Sequence, residues 1–312
     1  MKGKEKLLEE LLSSIKSHSH YSQDDAHLEV DGNKILASAT VPGLIMDLDE
    51  TENGIEGEIR LKAGTVIEKP VHLCFGMIPE NGVQKINLNV VLEEDSKVNF
   101  LTHCTFPNAI ELEHIMNSEV HVGRNASYTY FEKHTHSNSG GIKVIPKTRI
   151  LLEEHAHFKT EFELIKGRVG FMDVDYRAEC HDNSILDMIA RISGRKDDII
   201  KIHESGWLRG RHSRGVLASS IALRDDAKAE VFSELIADGD FAQGHVDCKE
   251  IIQDRGVARA VPIVQVNNPK AHVTHEAAIG SVDSKQLDTL MSRGVSEDDA
   301  VDMIIKGMLR RT

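Results

Sequence analysis

From about residue 27 onward the chain runs in short apolar-rich stretches separated by polar breaks. HLEV, KILASATV, LIMDLD, IEGEIRL, VIEKPVHLCFGMI and KINLNVVL are each brief, often β-branched, and broken by Gly, Asn, Asp or Pro. Branched side chains fit a pleated surface, and such runs between turn residues predict strands. No long helical period interrupts them, which argues against strand–helix–strand units. Asp31-Gly32, Asn81-Gly82 and Asp238-Gly239 are candidate hairpin turns. They recur too rarely for an antiparallel meander.

An internal repeat runs through this region. Its unit is an apolar residue, three mostly polar residues, a small residue, then an apolar or aromatic one two further on. It occurs as Leu92-EED-Ser96, Val122-GRN-Ala126, Leu152-EEH-Ala156, Cys180-HDN-Ser184, Leu223-RDD-Ala227 and Ile252-QDR-Gly256. The starting positions are 30, 30, 28, 43 and 29 residues apart, and the long step suggests an insertion around His203 to Ser213. One such unit cannot bury its own apolar face, so units must stack and share a core. The small residue suits a bend where neighbouring coils lie close. The prediction is a mainly β chain: a right-handed parallel β-helix with two strands per coil. An antiparallel sandwich or cupin-like barrel is the alternative.

The two ends differ from the middle. Leu7, Leu8, Leu11, Leu12 and Ile15 predict an amphipathic helix over residues 4–16, in the first instance a self-packed cap. At the other end His272, His275 and Glu276 lie on a short extended segment, and a helical hairpin follows. Leu287, Leu290 and Met291 fall at helical spacing, with Gly294 as a C-terminal stop. Ser296 with Asp299 three residues on forms a capping box, with Asp in place of Glu. Val301, Ile304, Ile305 and Met308 give the second helix its apolar stripe. The expected divisions are therefore a helical and small β segment at 1–84, the β-helix at 85–280 and the hairpin at 281–312.

Composition narrows the function. A formal charge of −13 argues against a general nucleic-acid binder, although Arg209, Arg211 and Arg214 form a local basic group. No apolar run approaches the length that spans a bilayer, and the first residues lack the continuous apolar core of a signal peptide. A cytoplasmic protein with no membrane partner is expected. Cys74, Cys104, Cys180 and Cys248 include no C-x-x-C pair, so zinc-ribbon and thioredoxin-type readings fail. Cys74, Cys104 and Cys180 are expected as core thiols. There is no phosphate-binding G-x-x-x-x-G-K-[ST] loop, so any ATP hydrolysis must come from a partner.

The candidate chemistry gathers near the C-terminus. GHVDCKEII supplies His245, Asp247 and Cys248, and one repeat later NPKAHVTHEAA supplies His272, His275 and Glu276. If coils stack in register, these segments approach one another. Thiolate, imidazole and carboxylate together suit iron or a nascent iron–sulfur cluster. One cysteine per chain is too few for an all-cysteine site, and a symmetric dimer would supply two. His134-Thr-His136 and His155-Ala-His157 each place two imidazoles on one strand face, a spacing that chelates a metal but also arises on any polar strand. The hairpin residues Leu287, Leu290, Met291, Val301, Ile304 and Met308 offer more apolar surface than two short helices bury against each other, which suits partner docking.

The C-terminal run HEAAIG followed by QLDTLMSRGVSEDDAVDMIIKG resembles the signature of the SufB/SufD family of iron–sulfur cluster assembly scaffolds. The match is close over the last forty residues or so, and the repeat pattern extends it over roughly residues 85–280. The resemblance implies the same β-helix, a role as a scaffold rather than an enzyme, a transient iron–sulfur cluster, a SufC-type ABC ATPase partner and recipient apoproteins. Its His-Glu pair carries over onto His275 and Glu276. Where SufB-type members are expected to carry a cysteine in the segment IIQDRGVARAVPIV, this chain has Gly256, and Cys248 lies eight residues earlier. The length suits a compact homologue, working as a homodimer in place of a SufB–SufD pair. Two rival readings remain: a metal-dependent enzyme built on the His-x-His pairs, and a structural solenoid that only assembles with partners.

Overall fold

The computed structural model describes residues 25–310. The helix expected over residues 4–16 lies outside them. The strands are β1 (His27–Asp31), β2 (Lys34–Ala39), β3 (Leu44–Glu50), β4 (Gly54–Leu61), β5 (Val71–Gly76), β6 (Asn81–Leu92), β7 (Lys97–Phe106), β8 (Glu111–Val122), β9 (Ser127–His136) and β10 (Ile142–Leu152). They continue as β11 (His157–Lys166), β12 (Gly170–Cys180), β13 (Ile185–Gly194), β14 (Ile199–Leu208), β15 (Arg214–Leu223), β16 (Lys228–Ala237), β17 (Gln243–Ile252), β18 (Val257–Val266) and β19 (His272–Gly280). Two helices follow, α1 (Ser284–Met291) and α2 (Glu297–Met308).

These strands form two sheets, with successive strands alternating between them from β4 onward. One sheet runs β19-β17-β15-β13-β11-β9-β7-β5-β1-β2 and the other β18-β16-β14-β12-β10-β8-β6-β4-β3. From β4 and β5 onward every pairing is parallel, so each coil adds one strand to each sheet. This is a parallel β-solenoid with two strands per coil. Only the β1–β2 and β3–β4 pairs are antiparallel. Asp31-Gly32 does form a tight turn, with Gly32 at φ 57°, but Asn81-Gly82 opens β6 and is no turn. The division expected near residue 84 falls inside β6, and β4 and β5 already stack on β6 and β7.

Alternation explains each strand. In β16, Ala229, Val231, Leu235 and Ala237 are buried between the sheets, with Ser233 among them, while Lys228, Glu230 and Glu234 face out. Interior side chains stack coil upon coil, as in the column Leu217–Val246 above Met188. Each fully buried Leu or Ile contributes about 1.5–3 kcal/mol.

The repeat unit is a turn between the two sheets, and its first four occurrences lie at one edge of the solenoid. In those four the third polar residue is left-handed: Asp95, Asn125, His155 and Asn183 have φ near 60°. Asp and Asn tolerate that region better than most residues. The small residue that follows is buried, at 0–1% exposure for Ser96, Ala126, Ala156, Ser184 and Ala227. Any larger side chain would meet the next coil.

The 43-residue step has no insertion behind it. The turns after Leu92, Val122, Leu152 and Cys180 lie at one edge, whereas those after Leu223 and Ile252 lie at the other. The same-edge turns after Leu208 and Ala237 carry one extra residue, with the left-handed position at His212 and Phe241, and so escape the pattern. Cys180 to Leu208 is one coil of 28 residues, and Leu208 to Leu223 is half a coil of 15.

α1 and α2 fold back onto the last coils. Asp283 caps α1 by accepting from the Gln286 amide, and Gly294 follows at φ 87°. Ser296 caps α2 by accepting from the Asp299 amide, as the capping box predicts. Val301, Ile305 and Leu309 bury against Ala222 and Val282 in a small second core. Arg224 bonds both Asp298 and Asp302, and Arg195 also bonds Asp302, which ties α2 to the solenoid's turns.

Candidate functional site

The C-terminal end of the solenoid is open. β18 and β19 are the last strands of their sheets, and each leaves one edge unpaired among the described residues. Val257, Ile263, Val266 and Ile279 are exposed there by 54%, 39%, 46% and 49%. A long, apolar, unpaired edge is a template for pairing with another chain.

Strand register decides which candidate residues meet. Val246, Cys248 and Glu250 of β17 point into the solenoid, while His245, Asp247 and Lys249 point out. In β19, His275 pairs with Val246, Ala277 with Cys248 and Glu276 with Asp247. Alternation therefore puts His275 on the inward side with Cys248, two residues out of register and roughly 8 Å away between Cα atoms. Glu276 leaves the opposite face. There it joins Asp247, His245 and, at the strand start, His272. The six candidates are thus divided by the sheet: Cys248 and His275 inside, His245, Asp247, His272 and Glu276 outside. Within one chain they do not converge on a single point.

The inner group is distinctive. Cys248 is fully buried, and burial pushes its thiol pKa up, with the Ser219 and Ser233 hydroxyls pulling the other way and the Glu250 charge adding to the rise. Burial also raises Glu250 and Glu204 to about 7. Neither Glu250 carboxylate oxygen has a partner. A thiol and two carboxyls in this setting hold protons that an incoming cation can displace. The outer group is a polar surface: His245 Nδ1 lies 2.8 Å from the Thr274 hydroxyl, and Lys249 donates to Asp247 at 2.5 Å. His275, Glu276 and the rest of β19 are solvent-exposed or nearly so.

The hairpin candidates also separate. Val301 is 1% exposed and spent on internal packing. Leu287, Leu290, Ile304 and Met308 are half-buried, while Met291 and Met303 are 41% and 51% exposed. Leu290, Met303, Ile304, Gly307 and Met308 line an open groove with Ile251.

The histidine pairs part company. His155 is the left-handed residue of a turn, outside β11, so it shares no strand face with His157, which instead lies 3.1 Å from Asp187. His134 and His136 do share a face, and it is the inner one, with both rings buried. They lie against Cys104, Glu132 and His114, which sequence reasoning did not connect to them. The available signal was the coil length: Cys104 and His134 are 30 residues apart and paired in register on β7 and β9.

The molecule is a parallel solenoid with an exposed last coil, flanked by a helical hairpin and carrying a buried thiol near two buried carboxyls. Residues 77–308 match the family described as SUF system FeS cluster assembly, SufBD core domain. An iron–sulfur cluster assembly SufBD family protein of Methanocaldococcus jannaschii is 34% identical over 314 residues, 99% of each chain. A second, from Pyrococcus horikoshii, is 34% identical over 284 residues, covering 91% of this chain and 86% of that one. The iron–sulfur cluster assembly protein SufB of Bacillus subtilis is 23% identical over 273 residues, 80% of this chain and 54% of its own. The chain belongs to the SufBD family of iron–sulfur cluster assembly proteins.

Proposed function

We propose that the chain is the scaffold of a SUF-type complex, on which an iron–sulfur cluster is built at the open end between two copies joined through their last coils. The observation that carries this is the position of Cys248 and His275 on one inner face beside unpaired, apolar strand edges. Iron and sulfide are the cargo. Cys248 supplies a thiolate once iron displaces its proton, and His275 reaches the same space from the neighbouring strand. Glu276, on the other face, contributes at the strand's open edge, where the second copy's strand would lie. His245, Asp247 and His272 form an outer carboxylate–imidazole surface that delivers iron. Metal ligands must be deprotonated to bind, so loading releases protons and favours higher pH.

The hairpin is the docking element for an ABC-type ATPase, through Leu290, Met291, Ile304 and Met308 with Leu287. Val301 serves by holding α2 in place. Anaerobic reconstitution with iron and sulfide tests the site. A cluster chromophore is expected in the wild type, lost in Cys248→Ser and reduced at least tenfold in His275→Ala and Glu276→Ala. A chromophore unchanged in Cys248→Ser would reject it. An ATPase that still co-purifies after deletion of residues 284–312 would reject hairpin docking.

A further inference from the structure

A second cluster of metal-binding side chains lies deep inside the solenoid, far along the stack from the open end. Cys104 Sγ, Glu132 carboxylate and His134 imidazole present donor atoms that all lie within 4.8 Å of one another, and all three side chains are buried. Cys104 comes from β7 and the other two from β9, the next coil. His114 faces them from β8 in the opposite sheet, its ring 6.0 Å from that of His134.

The hydrogen bonds around these groups fix which nitrogens carry protons. His136 Nδ1 faces the Arg168 carbonyl at 3.2 Å, and a carbonyl only accepts, so His136 Nδ1 is the N–H. In a neutral ring its Nε2 is then the acceptor, and His134 Nδ1, 3.0 Å away, must donate to it. That leaves a bare lone pair on His134 Nε2, pointed at Glu132 Oε1 from 2.8 Å. His114 follows the same logic. Gln84 Nε2 donates to the carbonyls of Gly32 and Gly76, which orients the amide so that Oε1 faces His114 Nδ1 at 2.8 Å. His114 Nδ1 therefore donates, and its Nε2 lone pair is buried with no partner. Glu132 Oε2 is likewise buried and unpartnered.

Both imidazoles thus carry a buried, unprotonated Nε2: that of His134 sits against the carboxylate and the thiol, and the His114 ring lies 6.0 Å from the His134 ring. Outer hydrogen bonds that end on backbone carbonyls and fix the ring tautomer are the arrangement that orients histidines toward a metal. The spacing is close to what an ion needs. A tetrahedral zinc-like ion sets its N and O ligands about 3.3 Å apart and its S and O ligands about 3.6 Å apart. Here Glu132 Oε1 is 2.8 Å from His134 Nε2 and 3.4 Å from Cys104 Sγ, so a few tenths of an ångström of opening suffices. Burial keeps both His114 and His134 neutral, as ligands must be.

We propose that Cys104, Glu132 and His134, with His114 as a fourth donor, hold one divalent transition-metal ion of borderline softness, Zn²⁺ or Fe²⁺, that bolts neighbouring coils together inside the solenoid. The mixed S, N and O set suits such an ion and disfavours Mg²⁺ or Ca²⁺. Loading requires the Cys104 proton, and the Glu132 proton held against the His134 Nε2 lone pair, to leave as the metal bonds form; bases in bulk water take both during folding, before the interior closes.

Cobalt reports on such a site directly. A Cys248→Ser, His275→Ala background removes the thiol and the inner imidazole of the open end, so a sulfur-ligated ion cannot come from that site and failure here is distinguishable from failure of the scaffold reading. This protein, produced in cobalt-supplemented minimal medium, should carry one Co²⁺ per chain, with the visible bands of a tetrahedral ion and a thiolate-to-cobalt charge-transfer band. Adding Cys104→Ser should remove the charge-transfer band. Glu132→Gln should cut metal content at least tenfold after chelator treatment, with the folded spectrum retained. Where a core variant fails to fold, X-ray absorption on the background protein decides the matter: one sulfur ligand supports the site, and coordination by N and O alone overturns it. A folded protein free of metal, or a charge-transfer band that survives Cys104→Ser, also overturns it.

Discussion

At the scale of single residues, the interior of this solenoid is unusual in carrying carboxyls. Glu204 sits between the sheets, its Oε2 without a partner, and burial alone raises its pKa to about 7. Below about pH 4.5, its ordinary value, the carboxyl is protonated whether the chain is folded or not, and it costs no stability on titration. As pH rises through 7, the unfolded chain loses its proton freely while the folded chain must keep it or bury a charge. Stability is therefore present at low pH and lost between about 4.5 and 7. Glu204→Gln should raise the melting temperature at pH 8, by an amount on the order of 2–3 kcal/mol in stability, and the gain should vanish near pH 4. Thermal melts of both proteins across that range check it. Such groups were hard to read from the sequence. Cys248, His275 and Glu276 were picked out by composition and resemblance, but no spacing rule says that His275 and Glu276 leave opposite faces until the strand's register is known. The tautomers of His114 and His134 depend on Gln84, Gly32 and Arg168, which no local pattern links to them.

At the scale of elements, the turns were the most legible feature and also the source of the main error. The five-residue unit marks one edge wherever its third polar residue can adopt the left-handed conformation. An extra residue at Arg209–Ser213 and Asp238–Ala242 hides two such turns, and similar units at the opposite edge then fall into the same list. The terminal hairpin is legible because its signals are local: Gly294 and Ser296 act within one turn of the backbone. Its attachment was not, since Arg195 and Arg224 are 107 and 78 residues from Asp302. Partly buried, charge-assisted bonds of this kind contribute about 1–2 kcal/mol. Asp302→Asn should loosen α2 from the solenoid, raising hydrogen exchange across residues 297–309 roughly tenfold. The exchange of β7 to β15 should not change. Uniform acceleration everywhere would mean that the hairpin and the solenoid unfold as one.

At the scale of the whole molecule, the period near 30 was enough to give stacked coils, because only stacking satisfies units that cannot bury themselves. The parallel pairing from β4 onward follows from that repeat. Which end stays uncovered was not legible, as it depends on where the antiparallel pairs fall. If two copies meet through β18 and β19, a charge on that surface should part them. Ile279→Lys or Ile263→Lys should shift the protein from dimer to monomer in light-scattering chromatography, with its melting temperature little changed. A wild type that is monomeric throughout the micromolar range would dismiss the pairing.

The stack is also polar, in the sense that its two ends are unlike. At the first end, β2 and β3 turn back antiparallel, are 6 and 7 residues long, and β3 carries Asp47, Asp49 and Glu50 along its length. Short, charged, reversed strands discourage further growth. If the open tips pair as proposed, such a rod joins tip to tip once, and the strands described at its other end offer no flat edge for a further copy. Such pairing would stop at two copies and enclose a chamber between the tips.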